Sequence, residues 1–107
     1  MNFNNPGALM KGLAKMQSTM AKVQKDVAET RYAGSAGGGL VKLEIFGTGK
    51  VHHIDIDPAA LAEGSELVGD LVAAAVNDAI TKREEDCKVR LKGVGKGLLP
   101  GMSIPGL

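Results

Sequence analysis

The chain has 107 residues, enough for one domain with a small core and much surface for its volume, so pairing with a second copy is an expectation from the outset. It shows no apolar run of membrane length and no basic-then-apolar leader, and its one cysteine, Cys87, excludes an internal disulfide and suits a reducing cytosol. The net charge of +1 conceals an uneven distribution: residues 1–31 and 82–107 each carry +3, residues 32–64 carry −2 and residues 65–81 carry −3. Basic ends around an acidic middle point to a polyanionic partner.

Pro6 suits the first turn of a helix that the spacing predicts to about Glu29. Its apolar residues, Leu9, Leu13, Met16, Met20, Val23 and Val27, recur at steps of 4, 3, 4, 3 and 4, a heptad seam narrower than the stripe of a helix lying on a core. Lys11, Lys15, Lys22 and Lys25 fall on the opposite face. About 22 helical residues span roughly 33 Å, too long for so small a domain to cover. The helix should therefore project and pair along its seam with another helix, such as that of a second subunit. The bland counterpart is a solvated lysine face on a core helix.

Tyr32 and its neighbours can extend briefly before "GSAGGG", Gly34 to Gly39, which reads as a turn or loop. A phosphate-binding loop would need Lys followed by Ser or Thr and then a helix, whereas these glycines lead into Leu40 and Val41, a strand. Leu40–Phe46 and Val51–Asp57 alternate as two strands of a hairpin joined by "GTGK". Pairing Phe46 with Val51 sets Lys42 opposite Asp55 and Glu44 opposite His53, and turns His52 toward the aliphatic face with Ile54 and Ile56.

The stretch "GKVHHIDIDP" holds two histidines and two aspartates, residue types that bind zinc or iron. The alternation separates them. Asp57 has its own role as the cap of a short helix, "DPAALAEG", stopped by Gly64. His53 and Asp55 remain as one pair with no third ligand in view, so the sequence assigns no metal, no cofactor and no catalytic residue.

Ser65 opens the second long helix, with Glu66 in its first turn. Val68, Leu71, Val72, Ala75, Val76, Ala79 and Ile80 form a broad apolar face suited to covering a sheet. Beyond Ile80 the helix is charged nearly all round, with a thin line of Cys87, Leu91 and Val94, and its basic members are Lys82, Arg83, Lys88, Arg90 and Lys92. Gly93 is the expected stop. Residues 1–93 then make one α-β-β-β-α domain, of α+β class, and 94–107 a flexible Gly/Pro-rich tail.

With "LMKGLAKMQSTMAKVQ", "GSAGGGLVKLEIFGTGKV", "IDIDP", "LVGDLVAAAVNDAITK" and "LLPGMSIPGL", the chain resembles the YbaB/EbfC family of nucleoid-associated proteins over nearly its whole length. The resemblance implies a tweezer-like homodimer: a long N-terminal helix, a three-stranded antiparallel sheet and a long C-terminal helix, with a sheet-based body and helices as arms. It also implies a cytoplasmic, nucleoid-associated protein that binds double-stranded DNA, alters its shape and affects gene expression. No residue roles transfer with it, so the DNA-binding candidates stay the basic positions found above: Lys11, Lys15, Lys22, Lys25, Lys82, Arg83, Lys88, Arg90 and Lys92.

The residues agree on the mode of binding. Phe3, Tyr32 and Phe46 are the only aromatics, too few to stack single-stranded bases. Ten lysines against three arginines suit phosphate contact more than bidentate reading of guanine. Two readings compete with DNA binding. One is a dimeric interaction module for a replication or recombination factor, suggested by the thin seam, the acidic middle and the apolar tail residues Leu98, Leu99, Met102 and Ile104. The other is a metal hydrolase at His53 and Asp55.

Overall fold

In the computed structural model, which describes residues 6–98, the chain runs α1 (Pro6–Glu29), β1 (Arg31–Ala36), β2 (Val41–Phe46), β3 (Val51–Ile56), α2 (Pro58–Ala62) and α3 (Ser65–Leu98). The strands form one antiparallel sheet in the order β1-β2-β3. This is the expected α+β arrangement. Among the described residues no helix is long and apolar enough to cross a membrane.

The core is the contact between α3 and one face of β1 and β2. Val41, Leu43 and Ile45 are its fully buried large side chains, joined by Tyr32, Ala75, Ala79 and, from the end of α1, Val27. The approach is close because the contact residues are small. A Cβ on Gly34 would overlap the Ala75 carbonyl oxygen and stand 2.9 Å from Ala79 Cβ. This accounts for the first departure from expectation. Gly34, Ser35 and Ala36 belong to β1 rather than to a loop, since glycine here admits a helix to the sheet. The turn itself is confined to Gly37–Gly39, where all three glycines take positive φ between +65° and +96°.

The β2–β3 hairpin has the expected pairs Lys42–Asp55, Leu43–Ile54 and Glu44–His53, but it reaches them differently. The Phe46 N–H donates to the Lys50 carbonyl at 2.8 Å, and Ile45 pairs with Val51 rather than with His52. The loop is thus one residue tighter, and a bulge at His52 absorbs the difference. His52 does not turn to the core as expected: it is exposed, and its ring meets Phe46 edge-on at 5.0 Å on the sheet face away from α3.

Asp57 caps α2 as expected, its Oδ1 accepting from the Ala59 N–H at 2.8 Å ahead of Pro58. Gly64, at φ +106°, separates α2 from α3. Gly93 does not end α3, which continues to Leu98. A glycine stops a helix when it turns left-handed, and Gly93 is not among the glycines of positive φ. The part of the expected tail from residue 99 onward lies outside the described residues.

With 34 residues α3 is about 51 Å long and overruns the sheet. Its distal half packs on α1, where Met20, Val23 and Val27 lie with Cys87 and Leu91 around a shared groove. The seam of α1 is therefore partnered within the chain over its second half. Toward the N-terminus Leu9, Leu13 and Met16 are exposed, Leu13 to 53%. The two helices make an arm, and the protein is 69 Å in its longest dimension.

Candidate nucleic-acid interface

The nine basic residues singled out by sequence divide into two groups. Lys11, Lys15, Lys22 and Lys25 are all exposed on α1, and none of their ammonium groups has a hydrogen-bond or ion-pair partner among the described residues. At about 100° per residue their side chains fall within a stripe roughly 80° wide, and Lys11 to Lys25 span about 21 Å along the axis. The apolar seam lies on the other side of the same helix, so packing of Met20, Val23 and Val27 on α3 turns the stripe outward. Lys88 and Lys92 on α3 are likewise exposed and unpaired among the described residues, one turn apart beside Glu84 and Glu85.

Lys82, Arg83 and Arg90 are engaged in holding the arm to the body. Lys82 Nζ donates to the Ala33 carbonyl at 3.0 Å and to Asp78 Oδ2 at 3.2 Å, while Asp78 Oδ2 also accepts the Ser35 N–H at 3.0 Å. This pair occupies outward-facing backbone groups of the edge strand β1, which would otherwise be open to another strand. The Ser35 N–H, then Lys82, keep Asp78 below the usual carboxylate range. Half-buried Arg83 donates from Nε to the Gly47 carbonyl, beside the C-terminal end of α1.

Arg90 belongs to a three-residue junction. Asp86 Oδ2 accepts from the Tyr32 hydroxyl at 2.6 Å and from Arg90 Nε at 2.9 Å. The Tyr32 hydrogen bond and Arg90 hold the Asp86 carboxyl below its ordinary value, and Arg90 is pushed up by the same carboxylate. Burial first, and then Asp86, push the Tyr32 phenol up. Sequence reasoning counted charges along α3 and had no means of knowing that Tyr32, 54 residues earlier, would share Asp86 with Arg90.

Among the described residues the aromatic rings offer little to stack on: Tyr32 is 6% exposed, and Phe46 is flanked by His52 and by Arg31, whose guanidinium carbon lies 5.8 Å from the ring centre. The outer sheet face does bring together three potential metal ligands, Glu44, His52 and His53, with their ligand atoms within 4.8 Å of one another. The grouping differs from the His53–Asp55 pair expected from sequence: Glu44 and His52 gather about His53, and Asp55 is not one of the three. The missed signal is the apolar spacing Ile56, Ile54, Val51, in which one step of three replaces a step of two and marks the bulge.

A three-stranded body under one helix, with two long helices extending from it and unanswered lysines on their outer faces, defines a class of α+β protein that presents cationic helices to its surroundings. The chain belongs to the YbaB/EbfC DNA-binding family, whose model matches residues 1–98. Members of this family are nucleoid-associated DNA-binding proteins. Among solved structures the chain is similar to the uncharacterized protein HP0035 from Helicobacter pylori. That likeness has a TM-score of 0.62 and 27% identity, covering 83% of this chain and 91% of that one.

Proposed function

We propose that this protein binds double-stranded DNA mainly through backbone phosphates, with low sequence selectivity, and alters the conformation of the duplex and with it gene expression. The observation that carries the reading is the unpaired lysine stripe of α1, Lys11, Lys15, Lys22 and Lys25, with Lys88 and Lys92 on the adjoining helix. An exposed ammonium with no carboxylate partner has its full charge available to a phosphate, and its binding releases counterions. Membership of a DNA-binding family supports a location at the nucleoid, and so in the cytoplasm.

The working unit is a homodimer. α3 covers β1 and β2 and leaves the same face of β3 uncovered, so Val51 and Ile54 are 48% and 41% exposed beside exposed Ile80. Apolar side chains in that setting call for a second copy to finish the core. Two copies then present two arms to one duplex, which raises the affinity of a chain with little net charge. A gel shift with duplex of random sequence tests this: binding at low salt that fades steeply as salt rises is expected, and no binding at micromolar dimer contradicts it.

A second reading rests on Leu9, Leu13 and Met16, the exposed half of the α1 seam. It makes the arm a dock for a replication or recombination factor, with DNA contact incidental. Capture of such a factor from nuclease-treated extract, abolished by changing Leu13 to Asp, would favour it.

A further inference from the structure

The outer face of the sheet carries a site that DNA binding does not use. Consecutive residues of a strand point to opposite faces, so two adjacent histidines do not ordinarily converge. Here the bulge between Glu44 and Ile45 on the partner strand makes His52 the extra residue of β3. It swings onto the side where His53 already faces Glu44, and the two imidazole rings stand 5.1 Å apart. We infer that Glu44, His52 and His53 form a surface site for a divalent transition metal of the zinc type.

Two further contacts fit that role. Asp55 Oδ2 lies 3.4 Å from His53 Nε2. At that distance the two are neighbours rather than hydrogen-bonded, and a small turn of either side chain would let the carboxylate accept from one ring nitrogen while the other ligates, the usual arrangement behind a metal-bound histidine. Arg31 approaches Glu44 at Oε2, at 3.9 Å, and leaves Oε1 to ligate. Ligand atoms around tetrahedral zinc are about 3.4 Å apart. The present spread of up to 4.8 Å closes by side-chain rotation, which exposed His52 and His53 can make without disturbing the core. Two imidazoles and a carboxylate select zinc and its transition-metal neighbours over magnesium or calcium, which prefer all-oxygen sites. Water completes the fourth position, since the site opens to solvent.

The test is calorimetric titration of the full, tag-free chain with Zn²⁺, and separately with Mg²⁺. One Zn²⁺ per chain is expected, with no heat from Mg²⁺. His52→Ala and His53→Ala should each weaken binding on the order of tenfold or more, and Asp55→Asn by about 10–100-fold. Thermal melts of the metal-free variants should match the parent, because the three side chains lie outside the core. Absence of saturable Zn²⁺ binding, or binding that survives His52→Ala combined with His53→Ala, would overturn the site. Neither outcome bears on DNA binding by the lysines.

Discussion

A lysine and an arginine of the same formal charge do different work here, and the difference lies in what each has for a neighbour. The ammonium groups of the α1 lysines are exposed and unpaired among the described residues; Arg90 has Asp86, and Asp86 has Tyr32. Removing the phenol hydroxyl in Tyr32→Phe leaves the carboxylate with one donor fewer. It should cost about 1.5–3 kcal/mol, read as a lower urea midpoint at unchanged slope. The pH dependence follows from the direction of the shifts. Asp86 and Asp78 are depressed in the fold, so their contribution is complete above the ordinary carboxylate range and is lost as pH falls through their depressed values. Melting temperature should therefore drop on the acid side, below about pH 4, and Asp86→Asn should flatten part of that drop. A melting curve with no acid dependence that Asp86→Asn changes would remove the junction from the account. The sequence exposed the lysines as candidates because a helical stripe is a local pattern. It could not separate Lys88 and Lys92 from Lys82, Arg83 and Arg90: Glu84 stands four residues before Lys88 just as Asp78 and Asp86 stand before Lys82 and Arg90, and the contacts that set the latter apart come from Ala33 and Tyr32 of β1 and from Gly47 of the β2–β3 loop.

Elements were legible where a period or a punctuating residue marks them. The heptad seam of α1, the broad apolar face of α3, the alternation of Val41, Leu43 and Ile45, and the Asp57–Pro58 cap all indicated local structure correctly. Glycine misled twice, in opposite senses. Gly93 suggested a stop but lies within α3, and Gly34 suggested a loop but lies in β1, where its missing side chain lets α3 approach. Whether a glycine serves its own backbone or a neighbour's packing is a tertiary fact. Gly34→Ala should accordingly destabilise the protein by about 1–3 kcal/mol through overpacking, measured by thermal or urea unfolding. A neutral outcome would mean that the α3–β1 packing is looser than described. The bulge at His52 is the other tertiary fact. It repairs the register that a tighter loop displaced, and in doing so it moves one histidine from the expected core face to the outer face.

For the whole molecule, the apolar residues left over by the single-chain core are as informative as those within it. Val51 and Ile54 continue the sheet face of Leu43 and Ile45 toward the β3 edge, where they are left exposed beside Ile80 of α3. Ile54→Asp, placed on that face, should convert a dimer to monomer in sedimentation while leaving helical content largely intact. A variant that still sediments as a dimer would move the subunit interface elsewhere. The proposed dimer would also matter for the proposed DNA binding, because two arms reach twice as many phosphates as one.

Phosphate binding by the α1 lysines is tested most directly by the salt dependence of duplex binding in the parent and in a variant with Lys11, Lys15, Lys22 and Lys25 changed to Glu. The variant should remain dimeric, bind more weakly, and show a shallower slope of log K against log salt. The expected change is about 0.9 for each phosphate no longer neutralised: about 3–4 when the four lysines of one arm engage one phosphate each, and about 7 when both arms of the dimer do. Unchanged affinity and slope in a folded, dimeric variant would contradict the account and transfer the interface from α1 to another surface.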